Sequence, residues 1–213
     1  MARVDALDAI LAALCRSVEA QSRDVKCAIF LPNDGGERRR RAVAPSLPKF
    51  AALDDVDFGP GLWHGRTGAP EERIVVVDDI AADPQWVDWR EAAASQGVRS
   101  CWLAPICDPA PGPPLGVFAI FHRALTKLDA DGADLMRRSA ELARFIIRQE
   151  RRAAEWRDAE TRYRTLVEQL PAIIYVEQLT GDVDLYLSPQ VEAVLGYAAT
   201  DLMAGNPGWM DLV

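Results

Sequence analysis

The chain has 213 residues, 49% hydrophobic and 26% charged, with 32 acidic against 24 basic side chains and a formal net charge of −8. That balance argues against general affinity for phosphate backbones, which needs clustered Lys and Arg, and no run approaches the ~20 apolar residues that span a bilayer. Cys15, Cys27, Cys101 and Cys107 are widely spaced with no C-x-x-C pair, which argues against a disulfide framework or structural zinc.

The N-terminal stretch mixes Asp and Glu with its apolar residues and lacks a small-residue cleavage site. It therefore reads as a helix, not a signal peptide, and the expected location is cytoplasmic. Val4, Leu7, Leu11, Leu14 and Val18 recur at three- and four-residue intervals, predicting one apolar face on a helix ending near Gln21. Val25 to Leu31 (VKCAIFL) predicts a strand stopped by Pro32-Asn33-Asp34-Gly35-Gly36, with Arg40 to Ala44 as its hairpin mate. The Arg38 to Arg41 run reads as a solvated loop leading into that strand, with an anion site as the alternative. Ser46-Leu47-Pro48 starts a short helix toward Asp54, and a glycine-rich loop follows.

Ile74 to Val77 is a continuous apolar run, the pattern of a strand buried on both faces and central in its sheet. Asp83-Pro84 opens a helix that presents Trp86 and Trp89 along one side and closes at Gly97. Val98 to Ile106 and Leu115 to His122 form an antiparallel hairpin across the Pro/Gly turn at 108–114. From Asp129 a long helix begins. Alternating steps of four and three from Leu135 reach Ser139, Leu142, Ile146, Gln149, Ala153, Trp156, Glu160, Tyr163 and Val167, the period of a coiled coil. Its first half is expected to pack on the sheet. The stretch from Gln149 is too charged elsewhere to be buried in one subunit, so Gln149, Ala153, Trp156, Glu160, Tyr163 and Val167 predict a parallel homodimer seam.

The segments VKCAIFL, APSLPKF, Gly59-Pro60-Gly61, VVVDDIAADPQW, VRSCWLAPI and PLGVFAIF, in that order, resemble a GAF domain over roughly residues 5 to 150. The resemblance implies an α+β fold: an antiparallel sheet with helices on one face and a lid of loops and short helices enclosing a small-molecule pocket on the other. RYRTLVEQLPAIIYVEQ and LYLSPQVEAVLGYAATDL are similar to the first half of a PAS domain. Such a domain needs about a hundred residues and only about fifty follow Arg162. The expected organisation is a GAF domain over 1–150, a connecting helix over 151–170, and the start of a PAS domain over 171–213 in a longer protein.

By that resemblance the lid spans Phe58 to Pro70 and Asp78 to Trp89. Phe58, Trp63, Trp86 and Trp89 would wall a pocket, with His64, Asp78 and Asp79 orienting a ligand. The alternative is that these residues simply pack the core and lid. Trp63-His64-Gly65-Arg66-Thr67 stands where many GAF domains carry Ser-Cys-Gly-Thr, so no ligand carries over from them. Nothing assembles the Asn-Lys-Phe-Asp-Glu pattern of cyclic-nucleotide-binding GAF domains. Cys101 is followed by Trp102, not by the His expected beside a bilin. The cofactor is left open.

Some GAF proteins reduce free methionine sulfoxide with a low-pKa cysteine, which makes a thiol-dependent redox enzyme the alternative function. Cys101 and Cys107 would share one face of an unbroken strand, yet lie about 20 Å apart, too far to bridge. No metal-ligand spacing joins His64 and His122, and no phosphate-loop motif occurs. The expected function is a non-enzymatic sensory input module, bound to neither nucleic acid nor membrane, controlling an output domain such as a histidine kinase, a cyclic-di-GMP enzyme or a phosphatase. A GAF domain that only dimerises, with no ligand, is the third possibility.

Overall fold

A computed structural model describes residues 2–22, 24–32, 40–51, 74–109, 114–170, 172–177 and 184–203. The chain divides into two compact units, Met1–Glu150 and Arg151–Val213.

In the first unit α1 (Ala2–Glu19) precedes the hairpin β1 (Val25–Pro32) and β2 (Arg40–Val43), and the short helix α2 (Pro48–Ala51) follows. Next come β3 (Val75–Val77), a kinked 3₁₀ segment at Pro84–Trp89, α3 (Arg90–Ser95), the hairpin β4 (Ser100–Ile106) and β5 (Gly116–His122), and the long helix α4 (Ala130–Gln169), which begins in the first unit and continues into the second from Arg151. The strands form one antiparallel sheet in the order β2-β1-β5-β4-β3.

Both faces of the sheet are covered, which is why its central strands read as unbroken apolar runs instead of alternating with polar residues. On one face Cys27, Ile29, Trp102, Ile106, Phe118 and Ile120 meet Leu11, Leu14 and Val18 of α1 and Met136, Ala140, Ala143 and Ile147 of α4. On the other, Ala28, Phe30, Cys101, Leu103, Val117, Ala119 and Phe121 meet Leu47, Phe50, Ile80, Trp86, Trp89 and Ala93.

The sequence places β3 in the middle of the sheet, but among the described residues it is an edge strand paired only with β4. The apolar run has another cause: Ile74 and Val76 pack toward α1 and α4 while Val75 and Val77 pack toward the opposite cluster. Double-sided cover needs no second strand neighbour. The contact stripe of α4 is wider than the predicted series: Met136, Ala140, Ala143 and Ile147 are buried against the sheet, Leu135 and Ile146 of the series pack beside them and Ser139 is buried, while Leu142 turns outward at 48% exposure.

Side-chain hydrogen bonds tie the elements together. Glu19, at the end of α1, accepts from the backbone N–H of Cys27 at 2.8 Å and from the Ser46 hydroxyl at 2.6 Å, joining α1 to β1 and to the turn before α2. Gly97 ends the α3 segment at φ +68°, a conformation that costs a Cβ-bearing residue. At the start of α4, Asp129 Oδ1 accepts from Gly132 N at 2.7 Å. A Cβ added to Gly132 would lie 2.7 Å from Cζ3 of the buried Trp102 ring. Alanine there gains about 0.5–1 kcal/mol of helix propensity, but displacing a packed indole costs about 1–3 kcal/mol. Gly132→Ala is therefore expected to be net destabilising, read as a lower urea midpoint, although exposed helical glycines usually respond the opposite way.

The second unit pairs β6 (Tyr175–Glu177) with β7 (Asp184–Leu187), followed by α5 (Gln190–Leu195) and α6 (Ala199–Met203). Leu187, Val191 and Leu202 make a small core, with Ile173, Leu195 and Ala199 against it. Ser188 fixes the approach of the two strands: its N–H donates to Ile174 O at 2.8 Å and its hydroxyl accepts from Ile174 N at 2.9 Å. Gly196, at φ +78°, caps α5 by donating to Glu192 O. Among the described residues no helix is long and apolar enough to cross a membrane.

Candidate functional site: the aromatic face of the sheet

The sheet face opposite α1 and α4 is shaped by the segment from Asp78 to Ser95. Asp79 Oδ1 accepts from Ala81 N at 3.0 Å and its carbonyl accepts from Asp83 N at 3.0 Å, folding the chain back after β3. Ile80 N donates to Arg99 O at 2.8 Å, which sets Ile80, 1% exposed, into the core. Asp83 is the N-cap: its carboxylate accepts from Gln85 N at 2.8 Å, and Pro84 follows with its fixed φ. The backbone is kinked at Trp86 (φ −107°, ψ 17°), and across that kink Trp86 and Trp89 still come together on the same side.

Both indoles point inward, at 2% and 7% exposure. Trp86 lies 5.4 Å from Trp89 and 6.3 Å from Phe121, ring centre to ring centre. Trp89 meets Phe50 at 5.3 Å and Phe30 edge-on at 5.7 Å, and Phe50 meets Phe121 at 4.8 Å. These separations and tilts are those of favourable aromatic pairs. Phe30 and Phe121 reach this face from β1 and β5, above the small residues Ala28 and Ala119, which are register partners at the sheet centre.

Of the residues expected to form the pocket, Trp86 and Trp89 are thus brought together in one cluster. Asp79 is engaged in the turn and lies 3.8 Å from Arg99, a partly exposed pair of little energetic weight. Asp78 is exposed. Phe58, Trp63 and His64 lie outside the described residues. Phe30, Phe50 and Phe121 were not singled out in the sequence, although the two-residue alternation that puts Phe30 with Ala28, and Phe121 with Ala119, on one face was available there.

The cysteines separate sharply. Cys15, Cys27 and Cys101 are fully buried, and none of the four is in a disulfide. Burial, with Glu19 nearby, pushes the Cys15 thiol up to about 12, and burial likewise raises Cys27. Cys101 is raised by burial and secondarily by Asp83. Such thiols stay protonated and are poor nucleophiles. The expectation that Cys101 and Cys107 share a face does not hold. Strand β4 ends at Ile106, so alternation stops before Cys107, which is half-buried and lines a cavity against α4 instead.

His122, at the end of β5, is 6% exposed, and its ring centre lies 4.1 Å from that of Trp102. Its Nε2 is buried with no hydrogen-bond partner among the described residues. Burial lowers its pKa from 6.5, so the unfolded chain holds the proton more tightly. The contribution of neutral His122 to stability is complete above the unfolded value and is lost as pH falls through it, levelling off below the folded value. Thermal melts between about pH 7.5 and about pH 5.5 should show a decline that His122→Phe reduces; an equal decline in the variant would contradict this assignment.

Along α4, Gln149, Ala153 and Glu160 are exposed, Trp156 is 76% and Tyr163 63% exposed, and Val167 is buried at 5% within the single chain. Leu166, outside the predicted seam, is 59% exposed.

The GAF domain model matches residues 3–147. The chain belongs to the GAF domain family. It is 27% identical over 199 residues, 92% of its length, to a methyl sulfide methyltransferase-associated sensor from Methanosarcina acetivorans, of which it spans only 20%. Two solved structures share the GAF fold. The blue-light absorbing form of the Thermosynechococcus elongatus PixJ GAF-domain superposes with a TM-score of 0.53 at 15% identity, covering 76% of this chain and 95% of that one. Residues 122 to 287 of a methyl-accepting chemotaxis protein give 0.51 at 17% identity, covering 68% and 90%. The chain has the α+β architecture expected from the sequence, with five antiparallel strands among the described residues between two layers of cover.

Proposed function

We infer that the chain is a sensory input module. Its GAF domain would take a small molecule on the aromatic face, its long helix would pair with that of a second copy, and the second unit would be the beginning of a PAS domain leading to an output region. The observation that carries this is the relationship to the Methanosarcina sensor, which extends over 92% of the chain and so runs past the GAF domain into the second unit.

The aromatic face supports the ligand reading through its composition. Two tryptophans and three phenylalanines are packed on one another at 0–7% exposure, so a ligand would reach their stacking surface by parting the Asp78–Ser95 segment from the sheet. The segment that holds them is fixed by hydrogen bonds to the Asp79 and Asp83 carboxylates, so a ligand moving Trp86 would also move that turn. Buried, proton-holding thiols at Cys15, Cys27 and Cys101 favour a sensory role over thiol redox catalysis. In the second unit, a strand pair followed by two short helices over a small core agrees with a PAS beginning.

The test is mass spectrometry of small molecules released by denaturing protein purified without added ligand, followed by their return to stripped protein. A released compound should rebind and change tryptophan emission, with the change reduced by Trp86→Phe. If nothing is released, or the rebinding compound leaves emission untouched, the aromatic face is only a core.

A further inference from the structure

On the other side of the sheet, where the end of β4 meets α4, lies a cavity of about 310 Å³. We propose that it is a second ligand site, for a small carboxylate with a short apolar body. This assignment is independent of the aromatic face.

Small residues create the space. Ala104 of β4 and Ala140 of α4 both line it, where longer side chains would have met, and Ile74 and Pro105 extend the apolar wall. Ala140 is 8% and Ala104 4% exposed, so the floor of the gap reaches the packed core, while the exposed side chains of Arg137 and Glu141 stand at its open rim. Arg148 Nη1 donates to Asp108 Oδ1 at 3.0 Å and holds the chain leaving β4 against α4, which preforms the opening.

Charge gives the ligand its sign. Arg137 and Arg144 also line the cavity, seven residues apart and hence two turns along one side of the helix, with Glu141 between them. Arg137 is committed to Asp134. Arg144 is not so firmly held: its side chain is 28% exposed, while its partner Glu141, 3.3 Å away, is 71% exposed. An exposed pair of this kind is weak, and a planar carboxylate arriving beside an apolar wall can replace Glu141 on the Arg144 fork. The volume is at the small end of ligand pockets, which limits the apolar body to a few carbons.

Cys107 lines the same cavity and is half-buried, while the other three thiols are fully buried, so it reports occupancy. The experiment follows alkylation of Cys107 by iodoacetamide, read by peptide mass spectrometry on the full chain, with hexanoate as probe and 1-hexanol as its neutral control. At about ten times its half-saturating concentration hexanoate should slow Cys107 alkylation roughly tenfold, since only the empty fraction reacts. Hexanol should give little protection. Arg144→Gln should abolish the hexanoate effect, and Ala140→Leu, which fills the gap, should abolish it as well. If Ala140→Leu does not fold, Arg144→Gln still decides. Absence of protection by hexanoate, equal protection by hexanol, or protection undiminished in Arg144→Gln would overturn the proposal.

Discussion

Changing Trp156 and Tyr163 together to glutamate is expected to turn a dimer into a monomer while leaving the circular dichroism of the chain essentially unchanged. In one chain Trp156 is 76% and Tyr163 63% exposed, with Leu166 at 59%, on a helix where Arg164 pairs with Glu160 at 3.1 Å and neighbouring positions are charged. Large aromatic surface left in water at seven-residue spacing is what a parallel partner would cover. Burying each such side chain contributes about 1.5–3 kcal/mol. A symmetric pair loses each contact twice, and places four carboxylates in the seam. The dimer should weaken by a factor of at least ~100, enough to read by light scattering at tens of micromolar. Since neither side chain is packed within the single chain, the fold itself has little to lose. Val167 differs: it is already 5% exposed, so it is proposed to hold the second unit together more than to meet a partner.

Trp86→Ala should be the most destabilising single substitution on the aromatic face, by about 3–5 kcal/mol. The indole is 2% exposed and contacts both Trp89 and Phe121, and its loss leaves a void between the sheet and the turn that Asp83 caps. Against the 5–15 kcal/mol of a typical domain this approaches unfolding at ambient temperature. Trp86→Phe keeps most of the volume and should lose markedly less. Urea denaturation followed by circular dichroism checks both. Equal, small effects would show that the turn does not depend on the indole.

The differences between sequence and structure have identifiable physical origins. Trp86 and Trp89 could be paired in advance because an Asp-Pro start and a three-residue spacing act locally. Alternation puts Phe30 with Ala28 and Phe121 with Ala119, but it is the register between the distant strands β1 and β5, and the docking of Phe50 from α2, that bring the three rings to the indoles, and no local pattern states either. The apolar run of β3 matches cover on both faces, with Val77 buried and Ile74, Val75 and Val76 half-buried, but position within a sheet depends on which backbone finds a partner, and an edge strand covered above and below carries the same residues. Parity placed Cys101 and Cys107 on one face only if the strand continued. It stops at Ile106, and the site proposed against α4 became visible only with that stop. The α4 stripe also includes Ala140 and Ala143, small residues buried against the sheet that a count of large apolar residues overlooks, beside Leu135 and Ile146 of the predicted series.

Native mass spectrometry of the chain at tens of micromolar, purified with no added ligand, addresses the sensory reading most directly. A dimer is expected whose mass exceeds two chains by that of two small molecules, one per chain, lost on gentle activation, together with a monomer from the Trp156→Glu, Tyr163→Glu variant that retains one small molecule. A bare monomer from the wild-type chain would contradict both the ligand on the aromatic face and the paired helix.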